Sequence, residues 1–295
     1  MLKRRSMNYQ EFLTTIKTQL TRRISADVKL EIHPVMKNNG RRCDGLVIMQ
    51  PDLNVSPTIY LQPYYHRYLE GVCLEDIYDD ILSAYFSHLP AEDFDTSAFT
   101  DYQRASSRIV MRLVNYKKNE ELLEDVPYYR FQDLAVIFYC MLHADKNNQA
   151  NILIHNHHLS MWNVTTDELR RVAGKNTPLL LPPEFLPMQT LLKEHHDICK
   201  LPMYVMSNQY RTNGASVILY EQMLQQTADL FHKNLVILPS SIHEVILIPV
   251  DSADSVTLEK YTQMVREVNE SQLADDEILS DHAYYFNRRT QIITS

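Results

Sequence analysis

The part of the sequence that most constrains the fold is a pair of apolar runs near the C-terminus. The runs Leu235–Leu238 and Val245–Val250 flank a Pro-Ser-Ser break at residues 239–241. Short apolar runs bounded by turn residues are typical of buried strands, so the pattern predicts two buried strands joined by a tight turn. Amphipathic helices are predicted on both sides, over residues 219–231 and 256–268. The segment therefore predicts a core that contains both sheet and helix.

Hairpins alternate with single amphipathic helices along the rest of the chain. Most neighbouring strands are separated by short turns, which favours antiparallel pairing. The sequence therefore predicts an α+β protein with mostly antiparallel sheets packed with single amphipathic helices. The polar stretch Pro90–Ser107 has no clean periodicity and separates two predicted units. They are an N-terminal α-β-β-β-α unit, residues 1–90, and a larger C-terminal α+β unit, residues 91–295.

Local patterns in the C-terminal unit give more detailed predictions. The aromatic and β-branched run Leu134–Leu142 favours a buried strand, although its nine residues are also long enough for a helix. Thr165 and Glu168 form a capping-box pattern, and the helix that it opens is predicted to end near Gly174. A strand is predicted around Ser216. A proline-rich connector follows Gly174 and contains one helical stretch, Met188–Cys199.

Charge and glycine content exclude several functional classes. The formal net charge is −8 and the basic residues form only scattered doublets, whereas nucleic-acid binding needs a concentrated cationic face. Only five glycines occur in 295 residues, and no two have the spacing of a phosphate-binding loop. We therefore expect no nucleic-acid partner and no nucleotide or other cofactor.

The cysteines and the hydropathy indicate a cellular compartment. The four cysteines are widely spaced and form no C-x-x-C pair, which suits reduced thiols. The basic N-terminus is not followed by the apolar region of a signal peptide, and no apolar run approaches the length of a membrane span. These features predict a cytoplasmic protein that does not associate with membranes.

Three histidines, His155, His157 and His158, form the densest cluster of candidate metal ligands. His195 and His196 could complete such a site. On a strand, however, adjacent side chains point to opposite faces, so at most two of the first three could converge. The alternative interpretation is a solvated strand end that leads into a helix.

The break between the two apolar runs supplies a second candidate site: Ser240, Ser241, His243 and Glu244. His243 and Glu244 lack the second histidine of a zinc-protease helix, and the serines lack the glycines of a nucleophile elbow. We therefore assign no catalytic residues. The four residues are predicted to form a constrained binding surface, in which the serine hydroxyls satisfy backbone groups of the turn.

Three segments together resemble a known family. They are Ser56–Leu61 followed by a Tyr pair and Gly71, then Met161–Leu169 running into Ala173–Pro178, and Leu238–Val245. On these motifs the chain resembles the domain of unknown function family 5688 over nearly its full length. A central Trp–Thr–Glu–Leu–Ala–Asn pattern is also similar to the YtpQ-like uncharacterised proteins. The resemblance implies a cytoplasmic bacterial protein, of the kind found in anaerobic gut bacteria and carried on mobile elements, and it brings no catalytic residues.

Two functional hypotheses remain. The first is a non-enzymatic protein-binding or regulatory module with a protein partner, because the sequence contains none of the motifs of phosphate, metal or nucleophile chemistry. The alternative is a hydrolase-type enzyme with a His-rich site around His155, His157 and His243, which could hold a metal.

Overall fold

The computed structural model describes residues 6–89, 97–144, 149–191 and 202–295. The described chain contains helices and three sheets in which every named strand pair is antiparallel. The predicted α+β class is therefore confirmed. The chain divides into two compact units: Met1–Lys37 with Arg41–Thr96, and Asn38–Gly40 with Ser97–Ser295.

The first unit packs three helices on a small sheet. Phe12, Ile16 and Leu20 recur at helical spacing and are fully buried in the first helix. They pack in one cluster with Leu46 of the second strand and Ile81 of the last helix. The helix after the third strand, α2, has no counterpart among the predicted elements. The elements are α1 (Tyr9–Thr21), β1 (Lys29–Met36), β2 (Arg42–Met49), β3 (Thr58–Tyr60), α2 (Gln62–Leu69) and α3 (Leu74–Ser87), with sheet order β1-β2-β3.

A four-stranded sheet forms one half of the second unit. Its strands are β4 (Ile109–Asn115), β5 (Tyr128–Phe131), β6 (Leu134–Ala144) and β7 (Gln149–Leu153). The long strand β6 pairs with all three others, which confirms the buried strand predicted there. The outer edge of β4 is closed by side chains: the Thr177 hydroxyl accepts from the Met111 amide at 3.0 Å, and the Asn176 amide donates to the Ile109 carbonyl at 3.1 Å.

A six-stranded sheet forms the other half, in the order β13-β12-β10-β11-β9-β8. Its strands are β8 (Pro183–Pro187), β9 (Tyr204–Asn208), β10 (Asn234–Leu238), β11 (Val245–Val250), β12 (Tyr284–Asn287) and β13 (Ile292–Thr294). The two apolar runs are thus the central strands β10 and β11, paired from Asn234 with Val250 to Leu238 with Ile246. The predicted tight turn between them is instead a six-residue loop, 239–244.

Helices cover both faces of this unit. They are α4 (Ser97–Thr100), α5 (Tyr102–Ala105), α6 (Glu120–Leu123), α7 (Asn156–Trp162), α8 (Thr166–Leu180), α9 (Met188–Leu191), α10 (Met223–Phe231) and α11 (Ser255–Gln272). Leu235 and Ile237 face a core shared with β6 and α8, whereas Val236 and Leu238 face α11. The central strand is therefore buried on both faces, which explains its continuous apolar sequence.

Several local predictions are wrong or fall outside the described residues. Helix α8 does not end at Gly174 but continues to Leu180, because Leu169, Ala173 and Thr177 keep one face of the helix buried beyond the glycine. The predicted strand at Ser216 is a 3₁₀ helix, Gly214–Leu219. The predicted helix after Met188 is described only to Leu191. Residues 90–96 of the predicted boundary, as well as His195 and His196, lie outside the described residues.

Candidate functional site

The loop 239–244 is held by backbone hydrogen bonds on both sides. The Ile242 amide donates to the Glu277 carbonyl at 2.9 Å, and the Leu279 amide donates to the Ser240 carbonyl at 2.8 Å. Ser240 and Ser241 are both buried. The Ser241 hydroxyl accepts from the His243 amide at 2.9 Å, so it closes a local turn. The two serine hydroxyls are therefore sequestered in the loop.

His243 connects this loop to the 3₁₀ helix. Its ring Nδ1 accepts from the Asn213 amide at 3.2 Å, so the ring proton lies on Nε2, 3.8 Å from a Glu277 carboxylate oxygen. The His243 carbonyl accepts from the Ser207 hydroxyl at 2.7 Å and from the Gly214 amide at 3.0 Å. A Cβ atom at Gly214 would lie 2.6 Å from that carbonyl, so only glycine fits. These contacts give His243 and Gly214 a positioning role in the loop.

Glu244 lies apart from its three neighbours. It lines a cavity of about 290 Å³ with an apolar floor that includes Val205 and Ile246. In the cavity wall, Arg211 Nε lies 2.6 Å from a Glu184 carboxylate oxygen. Glu184 foremost, with a smaller effect of Glu244, raises the pKa of Arg211 above its usual value. The structure therefore divides the predicted surface: Ser240, Ser241 and His243 hold the loop, whereas Glu244 faces a cavity.

The three clustered histidines lie at the start of a helix and not on a strand. His155 precedes the first residue of α7, and its backbone amide donates to His158 Nδ1 at 2.9 Å. The His155 ring Nδ1 lies 2.7 Å from an Asp125 carboxylate oxygen. His157 is exposed, while His158 is buried against Phe99, with ring centroids 4.8 Å apart. Two of the three rings thus already have hydrogen-bond partners within the protein.

Burial makes His158 a neutral residue. Desolvation, followed by the proximity of His157 and His155, lowers the pKa of His158 to about 4. No group of three or more His, Cys, Asp or Glu side chains in the described ranges is arranged to hold a metal ion. The cluster is therefore the start of helix α7, where Asp125 contacts the His155 ring and His158 is buried and neutral.

The histidines of the hydrolase hypothesis do not share partners. His243 contacts Asn213 and Glu277 through its ring, whereas His155 contacts Asp125. The Cys140 thiol is fully buried, and burial raises its pKa to about 11, which disfavours the reactive thiolate. The His155 and His243 rings therefore contact carboxylate and amide groups, and Cys140 is not activated as a nucleophile.

A cavity of about 820 Å³ in the second unit follows the exposed face of α8. We call it the α8 groove. Gly174 and Pro178 lie in its wall on the helix side, and Leu219 and Met223 lie opposite. A Cβ atom at Gly174 would meet no described atom within 4 Å. Neither packing nor backbone geometry therefore requires glycine at this mid-helix position.

Pro178 leaves the Gly174 carbonyl in the same groove without its usual helical hydrogen bond. Proline has no amide hydrogen, so it cannot donate the helical bond to the carbonyl four residues earlier, which is that of Gly174. Because Gly174 has no side chain, its carbonyl is not shielded by a Cβ atom. The groove therefore combines apolar walls with a backbone acceptor that lacks its helical donor.

The α8 groove is not evident from the sequence. Gly174 and Pro178 are four residues apart, which places them on one helical face, but this signal is informative only when the helix is known to continue through both. In the sequence, a glycine followed by a proline indicates the end of a helix. That interpretation separates the two residues that the structure places side by side.

Comparison with known proteins gives one result. The chain matches the family described as a family of unknown function (DUF5688) over residues 9–288. It belongs to that family. The search of curated proteins and the search of solved structures found no match to this DUF5688 protein. The similarity to YtpQ-like proteins stays a prediction. None of the helices in the described part of the chain has the length and apolar composition of a membrane span.

The first testable prediction concerns His243. His243→Ala removes the acceptor of the Asn213 amide and should lower the free energy of unfolding by about 1–2 kcal/mol, the usual effect of losing a partly buried hydrogen bond. His282→Ala is the control, because His282 is exposed and its ring has no hydrogen bond to a described residue. Chemical denaturation of both variants measures the difference. A His243→Ala protein as stable as His282→Ala would contradict the positioning role.

The second prediction concerns pH. The folded pKa of His158, about 4, lies below the unfolded value near 6.5. The unfolded chain therefore binds a proton first, and stability that is fully present above pH ~6.5 is lost progressively as the pH falls toward ~4. In His158→Asn, the side-chain amide oxygen can replace the Nδ1 acceptor without titrating. This variant should therefore lose about 1–2 kcal/mol less than wild type over this range, measured by denaturation at each pH.

His282→Asn is the matched control, because this side chain is exposed and does not contribute to the pKa shift of His158. It should retain the wild-type dependence of stability on pH. Equal pH profiles for His158→Asn and wild type would show that His158 has the same pKa in the folded and the unfolded chain. This outcome would contradict the prediction.

Proposed function

We propose that this DUF5688 protein is a non-enzymatic protein-binding module whose partner docks in the α8 groove. The observation that carries the proposal is Gly174. A glycine inside a helix is less stable than alanine by about 0.5–1 kcal/mol, and here a Cβ atom would be accommodated without contact. No packing contact explains why this helix carries the destabilising Gly174. The glycine is explained if the open space beside the helix is needed to bind a partner.

The groove has the composition of a binding surface. Its apolar residues include Leu179, which is 77% exposed, as well as Leu219 and Met223. An exposed apolar patch bordered by charged side chains is characteristic of protein interaction sites. The Gly174 carbonyl adds a backbone acceptor for an amide of the partner.

The charges favour an acidic partner segment. Three cationic side chains, Arg170, Arg171 and Lys175, line the groove with two carboxylates, Asp167 and Glu221. Arg171 is paired with Glu168, but Arg170 and Lys175 have no ion pair with a described residue, so they are the cations that this groove offers in a chain of net charge −8. Attraction at this surface and repulsion elsewhere would orient an acidic partner. We infer a partner segment that carries an apolar anchor residue flanked by Asp or Glu.

The cation positions support this inference. Arg171 is held by Glu168 at 2.7 Å, and the Arg170 guanidinium lies 4.5 Å from the centre of the Tyr129 ring. Lys175 is exposed and has no ion pair with any residue that the structure describes. Arg171 and Arg170 are thus held in place by Glu168 and Tyr129, and Lys175 is available to a carboxylate of the partner.

The compartment is part of the same proposal. Cys43, Cys73 and Cys140 are free thiols among the described cysteines. Free thiols suit a reducing compartment such as the bacterial cytoplasm. Carriage on a mobile element stays a prediction from the family resemblance.

The third prediction tests the groove with a matched pair of variants. Gly174→Trp fills the open space, whereas Gly174→Ala leaves it nearly empty and should stabilise the protein by about 0.5–1 kcal/mol. Random peptides displayed on phage are selected on wild type. We expect enriched peptides with acidic and apolar residues that bind Gly174→Ala like wild type and bind Gly174→Trp at least about tenfold more weakly.

A charge-reversal variant of Lys175 provides a second test of the groove. Lys175→Glu should weaken the same peptides, whereas Lys260→Glu, an exposed change on α11, should not. Peptides that bind Gly174→Trp as tightly as wild type would exclude the groove as the binding surface.

The fourth prediction addresses the hydrolase hypothesis, which the 2.7 Å contact between His155 and Asp125 keeps open. A carboxylate that orients a histidine is one component of nucleophilic or metal-assisted catalysis. Protein purified without a metal-affinity tag should contain transition metal well below stoichiometry by elemental analysis. A stoichiometric metal that is lost in the His155→Ala variant would favour the enzyme.

A further inference from the structure

A third cavity, of about 530 Å³, lies where the end of α10 and the start of β10 meet the turn between β12 and β13. We call it the β12–β13 cavity. Its volume lies within the range of small-molecule sites. Its lining is predominantly charged, with Lys233, Arg288 and Arg289 as cations and Asp229 and Asp251 as carboxylates. None of these residues belongs to the α8 groove.

Both carboxylates are already paired. Arg288 Nε lies 2.6 Å from Asp229 Oδ1, and Gln225 donates to the other oxygen of Asp229 at 3.0 Å. Lys233 Nζ lies 3.1 Å from Asp251 Oδ2. Arg288, followed by Gln225, holds the pKa of Asp229 below its usual value, so this carboxylate stays ionised.

Arg289 is the remaining cation of the cavity. Its backbone amide donates to the Asn287 side chain at 2.9 Å, but its guanidinium has no partner among the residues that the structure describes. With both carboxylates neutralised by their partners, the cavity presents one uncompensated guanidinium. Guanidinium groups bind carboxylate and phosphate oxygens through paired hydrogen bonds, so this group is suited to an oxyanion.

His232 supplies a second donor. Its Nδ1 lies 3.5 Å from Arg288 Nη2. Because a guanidinium only donates, this contact favours the tautomer with the ring proton on Nε2, where it can be donated. The negative end of α10 lies nearby, but its last carbonyls accept from the backbone: His232 donates to Asp229 at 3.2 Å and Lys233 to Ala228 at 3.1 Å.

The backbone around this cavity is strained at two points. His232 and Gln291 both line it, and both have positive φ values, 55° and 59°. Glycine is the residue that usually occupies such positions, because a side chain destabilises the left-handed conformation. His232 ends α10 and Gln291 closes the turn between β12 and β13, so these two conformations belong to the chain reversals that form the cavity.

We propose that the β12–β13 cavity binds a small molecule through an oxyanion, a phosphate or carboxylate group, held by Arg289 and His232. Arg288 is fixed by Asp229 and lines the same cavity. This site is independent of the α8 groove, so a small anionic metabolite would bind at one surface and a protein partner at another.

The experiment is a thermal melt of the full chain titrated with inorganic phosphate, with citrate as the carboxylate arm and sodium chloride at equal ionic strength as the control. We expect phosphate or citrate to raise the wild-type Tm above the chloride control. Arg289→Gln should remove this rise or weaken the apparent Kd at least about tenfold, the order expected for losing a charge-assisted hydrogen bond. Lys260→Gln removes one exposed charge elsewhere and should respond like wild type.

A second variant separates binding from folding. His232→Gly relieves the positive-φ strain and should raise the Tm in buffer without phosphate or citrate, while reducing the response to the anion. A response to citrate alone would identify a carboxylate ligand, and a response to phosphate alone a phosphorylated one; both support the site. Wild type that responds to neither, or an Arg289→Gln protein that responds like wild type, overturns the proposal.

Discussion

The antiparallel pair β10–β11 is the interaction on which the second unit depends. Its five residue pairs lie in the middle of the six-stranded sheet, and its side chains supply two cores at once. Leu235 and Ile237 pack toward β6 and α8, and Val236 and Leu238 toward α11. Burial of a large aliphatic side chain contributes about 1.5–3 kcal/mol, so substitutions here affect both layers. The loop 239–244 joins these two strands, and α8 packs on the face that carries Leu235 and Ile237.

Gly214 and Gly174 are glycines for different structural reasons. Gly214 is required by close packing, because a Cβ atom there would collide with the His243 carbonyl and the Asn208 amide. It fixes the 3₁₀ helix against the loop 239–244, which makes that loop a rigid connection between the central strands. Gly174 leaves open space beside its helix and so opens the α8 groove. The first glycine is explained by the fold, and the second by the proposed binding surface.

The acidic chain concentrates basic side chains at two surfaces of the second unit. Arg170, Arg171 and Lys175 belong to one helix, whereas Arg288 and Arg289 belong to the turn that follows β12. Scattered doublets in the sequence thus become local basic sites in a protein that is acidic as a whole. Such sites favour anionic ligands of limited size and do not form the extended cationic face that nucleic acid requires. The family has no known function, so the family relationship assigns no activity.

Sequence periodicity by itself determined the α+β class, the buried strands β6, β10 and β11 and the presence of the five longest described helices, because apolar spacing reports burial directly. The motifs also identified the family. Periodicity did not determine the length of α8, where burial of Thr177 overrides the stop signals at Gly174 and Pro178. Nor did it show that the Ser240 and Glu244 environments differ, or that Asp229 pairs with Arg288, 59 residues away. Only tertiary structure decided these features, because polar pairs and cavities arise from contacts between distant segments that leave no period in the sequence.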